Sequence, residues 1–146
     1  PVDGSETSKR GLEEACTLAR GKGSRVRCLH VIDEHFLTYN YLGFTYTPEL
    51  FEALRNNGRE VLEEASKLAG DRGVPVESVL RESGGRRVSE TILEEARTWP
   101  ADLIVMGTHG RRGLSHLALG SAAELVVRGS PVPVLLARAK PEGGSA

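Results

Sequence analysis

Residues 103–121 read Leu103-Ile-Val-Met106-Gly107-Thr-His-Gly110-Arg-Arg-Gly113-Leu-Ser-His-Leu-Ala-Leu-Gly120-Ser121, a short apolar run followed by a loop rich in glycine. The apolar run is typical of a buried strand. Because glycine lacks a Cβ, such a loop lets backbone N–H groups approach a ligand closely. Ser121 opens an apolar-periodic stretch, so a helix start with unpaired N–H donors follows the loop. Strand, glycine loop and helix start together predict a phosphate-binding loop.

The spacing of the glycines excludes two common phosphate-binding motifs. A P-loop requires Gly-x4-Gly-Lys-Ser/Thr, and the sequence contains neither Gly-Lys-Ser nor Gly-Lys-Thr. The dinucleotide fingerprint requires Gly-x-Gly-x-x-Gly, whereas Gly107, Gly110 and Gly113 follow one another at intervals of three. The spacing that remains is Gly-x2-Gly-x9-Gly-Ser, formed by Gly107, Gly110, Gly120 and Ser121.

Composition favours one domain that binds neither nucleic acid nor membrane. The 146 residues include 19 basic and 20 acidic side chains, so no charge excess points to an anionic partner. No apolar run approaches the roughly 20 residues of a membrane span, and no secretory signal is recognisable. Cys16 and Cys28 lie in apolar periodic segments, and we expect two buried thiols of a cytoplasmic protein. We expect one domain over residues 1–139 and a flexible tail over residues 140–146.

Hydrophobic periodicity predicts helices and strands in alternation. Apolar spacing, caps and breakers predict a helix over residues 12–19 ending near Gly21 or Gly23, one from Thr47-Pro48 to near Gly70 or Gly73, one through Val88, Ile92 and Ala96, and one from Ser121 to about Arg128. Apolar runs predict strands over residues 26–32, 74–80, 103–106 and 132–137. Pro133 places the last strand at a sheet edge, because proline lacks the N–H donor that a central strand needs.

This alternation predicts right-handed βαβ units and a parallel sheet. It also requires a strand before the first helix, and Pro1-Val-Asp3-Gly-Ser5 has the character of a strand end. We therefore expect about half a dozen apolar residues ahead of Pro1.

The glycine spacing resembles the ATP-binding signature of the universal stress protein family. Four further segments look like landmarks of that family in its order: Pro1-Val-Asp-Gly-Ser5, Leu29-His-Val-Ile-Asp33, Ala101-Asp-Leu-Ile-Val-Met-Gly107 and Pro131-Val-Pro-Val-Leu-Leu136. The resemblance implies an α/β, Rossmann-like fold with a single open parallel five-stranded sheet, order 3-2-1-4-5, and helices on both faces. It also implies a role in stress tolerance and a homodimer through the last strand, Val132 to Ala137.

With that strand order, the topological switch point, where the order of the strands reverses, lies between strands 1 and 4, and ligands of open α/β sheets bind at such a point. Asp3 would end strand 1 and Gly107 would end strand 4. The resemblance implies that the N-terminal residues border the adenine and ribose, and that the glycine loop and the following helix start hold the triphosphate of ATP. The nucleotide-binding residues so implied are Pro1, Val2, Asp3, Val31, Met106, Gly107, His109, Gly110, Arg111, Arg112, Gly113, Gly120, Ser121, Ala122 and Ala123.

Several of these residues have an alternative role. Asp3 can accept the ribose hydroxyls or form a turn before the first helix. Ser121 can contact phosphate or cap its own helix, because Ser121-Ala-Ala-Glu124 is a capping box. Arg111 and Arg112 can neutralise phosphates or remain solvated.

The sequence offers little for metal binding or catalysis. Relatives often carry a hydroxyl where this chain has Ala122 and Ala123, so we expect only their backbone to contribute. Neither His109 nor His116 has a partner at metal-ligand spacing, and a Mg²⁺ ion would arrive with the triphosphate. No base is evident beside the glycine loop. We therefore expect a nucleotide-dependent regulatory switch with little or no turnover; the alternatives are a slow ATP hydrolase or phosphotransferase and a nucleotide-free dimeric scaffold.

Aromatic residues cluster in one segment, Phe36 to Phe51, which holds every phenylalanine and tyrosine of the chain: Phe36, Tyr39, Tyr41, Phe44, Tyr46 and Phe51. The segment can fill a small satellite core, bind an unknown protein partner or cover the nucleotide as a lid.

Overall fold

A computed structural model describes residues 1–34, 47–110 and 119–138. Helices and strands alternate along these ranges, as predicted. They are α1 (Glu6–Ala19), β1 (Val26–Ile32), α2 (Pro48–Gly70), β2 (Val76–Glu82), α3 (Val88–Thr98), β3 (Ile104–Gly107), α4 (Ser121–Gly129) and β4 (Val134–Ala137). The predictions for residues 36–46, Arg111, Arg112, Gly113, His116 and the tail fall outside the described residues.

The strands form two parallel pairs. β1 runs beside β2 with Val26 opposite Val76 and Ile32 opposite Glu82. β3 runs beside β4 with Ile104 opposite Val134. The chain therefore has the predicted α/β class with parallel pairing, whereas one five-stranded sheet stays a prediction, because the described strands form two sheets of two.

Helix α2 begins where the sequence predicts. Thr47 is its N-cap and accepts a hydrogen bond on Oγ1 from the N–H of Leu50 at 3.3 Å, and Pro48 follows in the first turn. This arrangement works because proline lacks the N–H that would remain unpaired at a helix start.

Three strands begin later than predicted. β2 begins at Val76 and not at Val74, because the N–H of Val74 bonds to the oxygen of Ala69 and so belongs to the turn after α2. β3 begins one residue later than predicted, at Ile104. β4 begins at Val134, because Val132 is held in a turn by the hydroxyl of Ser130. Pro133 therefore precedes the strand, and its position inside the strand was predicted wrongly.

Two apolar clusters flank the strands. Alternate residues of β1 point to opposite faces, so Cys28 joins the cluster beneath α1 and α2, and Leu29 joins the cluster beneath α3 and α4. Both cysteines are buried free thiols, as predicted. Burial raises the pKa of both thiols.

A cavity of about 440 Å³ is lined by residues of both strand pairs, among them Cys28 and Leu29 of β1 and Ile104 and Val105 of β3. Val2 also lines it, and the N–H of Val2 donates to the oxygen of Leu29 at 2.8 Å. The N-terminal residues thus run beside β1. Among the described helices, none is both long and apolar enough to cross a bilayer.

Candidate nucleotide-binding site

Asp3 shapes the turn into the first helix. Its Oδ1 accepts hydrogen bonds from the N–H of Ser5 at 2.9 Å and from the hydroxyl of Ser5 at 2.6 Å. Ser5 is the N-cap of α1, and its Oγ accepts from the N–H of Ser8. The turn role of Asp3 is therefore observed, and it occupies one of the two carboxylate oxygens.

The second carboxylate oxygen of Asp3 faces the glycine loop. A Cβ on Gly110 would stand 2.9 Å from Oδ2 of Asp3, closer than real Cβ atoms come to a neighbour. Gly110 is itself exposed. The structure thus brings a carboxylate and an open stretch of backbone together, although 107 positions of sequence separate them.

Gly107 allows α1 to pack directly on the end of β3. A Cβ at Gly107 would lie 2.5 Å from Oγ1 of Thr7 and 2.8 Å from its Cβ. A larger residue at position 107 would push the helix away, and with it the turn that carries Asp3. The packing of α1 is therefore one reason for glycine at the first position of the signature.

Hydrogen bonds hold both ends of the glycine loop. Thr7 donates from Oγ1 to the main-chain oxygen of His109, and the Nδ1 of His109 lies 3.0 Å from Oγ1 of Thr108. The N–H of Thr108 donates to the oxygen of Ala137 in β4, and the oxygen of Thr108 accepts from the N–H of Gly120 at 2.8 Å. Thr108, which is buried, therefore joins the two ends of the loop.

The start of α4 differs from the prediction. Gly120 and not Ser121 is the N-cap, and the oxygen of Gly120 accepts from the N–H of Glu124 at 2.9 Å. Ser121 is the first helical residue, and no side chain in the described part of the chain caps the helix. The capping box was therefore predicted wrongly. The bond from the N–H of Gly120 to Thr108 holds Gly120 at the helix start, so that Gly120 takes the cap position. Within the described residues, the first N–H groups of α4 thus have no capping side chain as acceptor.

The remaining described residues of the predicted site differ in exposure. Ser121 is exposed, Ala122 is half-buried and the methyl group of Ala123 is buried in the cluster beneath α4. The side chain of Met106 is buried in the same cluster, so only its backbone faces the loop. Pro1 and Val31 are half-buried. Within the described ranges, no three His, Cys, Asp or Glu side chains are grouped as metal ligands would be.

Sequence reasoning missed Thr7, Thr108 and His30. Thr7 belongs to the hydroxyl-rich run Ser5-Glu-Thr-Ser8 at a helix start, and His30 interrupts the apolar strand β1. These two were visible as polar residues in unusual places, whereas nothing in the sequence sets Thr108 apart from the rest of the loop. Neither pattern indicates which distant group the side chain contacts.

The comparisons with known proteins agree with this geometry. A family model described as "Universal stress protein family" matches residues 1–138. Universal stress protein YxiE of Bacillus subtilis is 35% identical over 143 residues, covering 94% of this chain and 95% of that protein. The solved structure of MJ0577, from Methanocaldococcus jannaschii, has a TM-score of 0.77 at 29% identity and covers 96% of this chain and 93% of its own.

More distant solved structures share the fold and contain nucleotides. A universal stress protein of Archaeoglobus fulgidus in complex with dAMP has a TM-score of 0.64 at 24% identity, covering 92% of this chain and 90% of its own. Two others of similar likeness are complexes with cAMP and AMP.

The family match includes every residue that the structure describes, and the fold is similar to that of the solved relatives. The chain belongs to the universal stress protein family and carries the glycine and serine signature of its ATP-binding subgroup at Gly107, Gly110, Gly120 and Ser121.

Proposed function

We propose that this chain is an ATP-binding regulatory protein of the stress response, which acts in the cytoplasm as a nucleotide-dependent switch with little or no turnover. The observation that carries the proposal is the close approach of Asp3 to Gly110, beside the start of α4, which no side chain of the described residues caps. A carboxylate suits two ribose hydroxyls, and free N–H groups suit phosphate oxygens. Both recognition elements lie within the reach of one nucleotide.

The proposed pose follows from these groups. Oδ2 of Asp3 accepts the ribose hydroxyls while Oδ1 stays in the turn with Ser5. The phosphates lie on the backbone of Gly110 and on the first N–H groups of α4, where the helix dipole contributes about 0.3–1 kcal/mol per charge. Arg111 and Arg112 add positive charge to the same loop. The adenine lies toward Val31 and the N-terminal residues. A Mg²⁺ ion arriving with ATP would be held by phosphate oxygens and water.

Two contacts favour a switch over an enzyme. Phosphoryl transfer needs a group that positions the attacking nucleophile. The carboxylate of Asp3 lies at the ribose end and is engaged in the turn, and the ring of His109 is engaged by Thr108. Neither group is placed as a base beside the terminal phosphate of this pose. Relatives bound to AMP, dAMP and cAMP are examples of the fold with nucleotides that lack a triphosphate.

We also propose that the two strand pairs belong to one sheet in the order 3-2-1-4-5, where the N-terminal segment counts as strand 1 and β1 to β4 count as strands 2 to 5. In this order the segment around Val2 lies between β1 and β3. The bond from the N–H of Val2 to Leu29 supports this position, and so does the cavity lined by both strand pairs. The domain of this proposal extends over residues 1–139, with the tail beyond it.

The proposed homodimer forms through the last strand, Val132 to Ala137. The oxygens of Pro133 and Ala137 accept bonds from Ile104 of β3 and from Thr108 directly after it. Because backbone groups alternate along a strand, those of Val134 and Leu136 face away from β3. Among the described strands, β4 pairs with β3 alone. The unpaired backbone groups of such an edge can form hydrogen bonds with a strand of a second molecule. The surface proposed for a further protein partner is the aromatic segment, Phe36 to Phe51.

Calorimetric titration with ATP, ADP and AMP tests the proposal, using Gly110→Ala and a matched Gly70→Ala control. The methyl group at position 110 would meet Asp3, whereas a Cβ at Gly70 meets nothing within 4 Å. We expect ATP to bind the parent protein and the control equally, and Gly110→Ala at least roughly tenfold more weakly.

Mass spectrometry of the nucleotide after incubation separates the alternatives. ATP that remains intact over hours supports the switch. Conversion to ADP favours the slow hydrolase. Absence of binding by the folded protein would leave the dimeric scaffold.

A further inference from the structure

His30 is a buried polar residue in the middle of β1, and its ring contacts the N-terminal segment. The residue is 7% exposed, and Nδ1 lies 2.8 Å from the main-chain oxygen of Val2. A carbonyl oxygen only accepts, so Nδ1 carries the hydrogen in this contact. On its other side, Val2 donates its N–H to the oxygen of Leu29. Strand β1 therefore holds Val2 by one main-chain bond and one side-chain bond.

The bond from His30 lies directly before Asp3. The oxygen of Val2 belongs to the peptide group that also contains the N–H of Asp3, and this N–H faces Oγ of Ser8 at 3.4 Å. A shift of this peptide group would carry the Asp3 carboxylate with it. The position of the His30 ring therefore affects the distance between Oδ2 of Asp3 and Gly110.

Helix α2 supports the ring from the opposite side. A Cβ on Gly58 would lie 2.9 Å from Cδ2 of His30 and 2.6 Å from Cδ1 of Leu80. The helix therefore approaches the strand so closely that glycine is needed at this turn. Leu80 ends in a flexible methyl group that can move, but the imidazole ring is rigid and bonded to Val2.

We infer that His30 is a positioning residue of the nucleotide site. Its ring, held between Gly58 of α2 and the oxygen of Val2, sets the position of the Asp3 carboxylate relative to the glycine loop. The expected effect of His30 on affinity rests on the proposed nucleotide binding. Its effect on the position of Asp3 rests only on contacts within the protein. The inference gives a role to the histidine of the segment Leu29-His-Val-Ile-Asp33, because the proposed nucleotide pose includes no contact with this histidine.

Three variants separate positioning from general stability. His30→Leu removes the donor. His30→Asn keeps an N–H donor near the place of Nδ1, because the asparagine amide is as short as that side of the imidazole ring. Val74→Ala is the control: it shortens another buried side chain of the apolar cluster that contains Val2, in the turn after α2.

The first readout is amide hydrogen exchange at Val2 and Asp3 in the protein without ligand. We expect faster exchange at these two amides in His30→Leu than in His30→Asn. The Val74→Ala variant shows how much faster they exchange when only the free energy of unfolding falls, and this effect is subtracted. Equal protection in the leucine and asparagine variants would overturn the inference, whether or not the parent protein binds nucleotide.

The second readout is affinity for AMP, ATP and inorganic tripolyphosphate. We expect His30→Leu to weaken AMP and ATP roughly tenfold, His30→Asn to restore most of that loss, and tripolyphosphate binding to stay unchanged. An equal loss for all three probes would show general damage and would contradict a positioning role. Failure of the parent protein to bind AMP and ATP would defeat the proposed function instead, and the exchange result would still decide the geometry.

Discussion

Thr7 donates a hydrogen bond from Oγ1 to the main-chain oxygen of His109, so the first turn of α1 holds the entrance of the glycine loop. The same threonine lies against the position where a Cβ of Gly107 would stand. One side chain therefore fixes both the packing and the backbone of the loop. This contact joins the helix that follows Asp3 to the loop that faces Asp3.

Replacing Thr7 by valine should loosen that loop. Valine has nearly the same shape but cannot donate, so the oxygen of His109 loses its partner on α1. We expect the free energy of unfolding to fall by about 1 kcal/mol and ATP to bind several-fold more weakly. Thr7→Ser keeps the hydroxyl and is the control in urea unfolding and titration. Equal affinities of the valine and serine variants would show that the bond does not shape the site.

Alanine at Gly58 should disturb the nucleotide site from the far side of β1. Its methyl group would press on the ring of His30, whereas a methyl at Gly70, on the same helix, meets open space. We expect Gly58→Ala to weaken AMP binding roughly as much as His30→Leu does, and Gly70→Ala to leave it unchanged. Unaltered affinity in a folded Gly58→Ala protein would mean that the movement of Leu80 absorbs the whole strain.

Glu95 should contribute more to stability than its neighbour Glu94. Its side chain is 9% exposed, and its carboxylate bonds to Arg27 at 2.6 Å and to Arg81 at 2.9 Å, which connects α3 to β1 and β2. Glu94 pairs with Arg86 where both side chains are about half exposed. We expect Glu95→Ala to cost about 2–3 kcal/mol and Glu94→Ala about 0–1 kcal/mol in urea unfolding. Similar costs would indicate that water screens both carboxylates equally.

Thiol chemistry should report the raised pKa values of Cys16 and Cys28. Burial favours the protonated form of both thiols in the folded protein. The unfolded chain therefore loses these protons first, and stability from this source is complete below about pH 8.5 and declines as the pH rises further. We expect a disulfide reagent at pH 8 to label the unfolded chain quickly and the folded protein only at its unfolding rate. Rapid labelling of the folded protein would contradict the buried positions.

The dimer proposal can be tested at the open edge of β4. The N–H of Val134 points away from β3, so Val134→Pro removes an edge donor without removing a bond to β3. Val134→Ala is the control, because it shortens the same side chain and keeps the N–H. We expect a monomer for the proline variant and a dimer for the alanine variant by light scattering. A dimeric, folded proline variant would place the interface elsewhere.

Local patterns in the sequence were enough for the order of elements. Apolar spacing predicted four helices and four strands in sequence, and Thr47-Pro48 predicted the start of α2 to the residue. These predictions succeeded because helix periodicity and capping depend on residues a few positions apart. The glycine spacing likewise sufficed to predict the family, which the match over residues 1–138 confirms.

Errors arose where a distant partner sets the local structure. Ser121 has the sequence of a cap, yet Gly120 caps α4, because the N–H of Gly120 bonds to the oxygen of Thr108. Val74 is apolar like a strand residue, yet its N–H completes the turn after α2.

The sequence by itself determined the class of the fold, the element order and the identity of the glycine loop, because each is written in short-range spacing. Only the tertiary structure decided that Asp3 meets Gly110, that Thr7 holds His109, and that His30 stands between Gly58 and Val2. Each of these pairs is far apart in sequence. Such contacts depend on how whole helices pack on strands, and no local pattern of side chains encodes that packing.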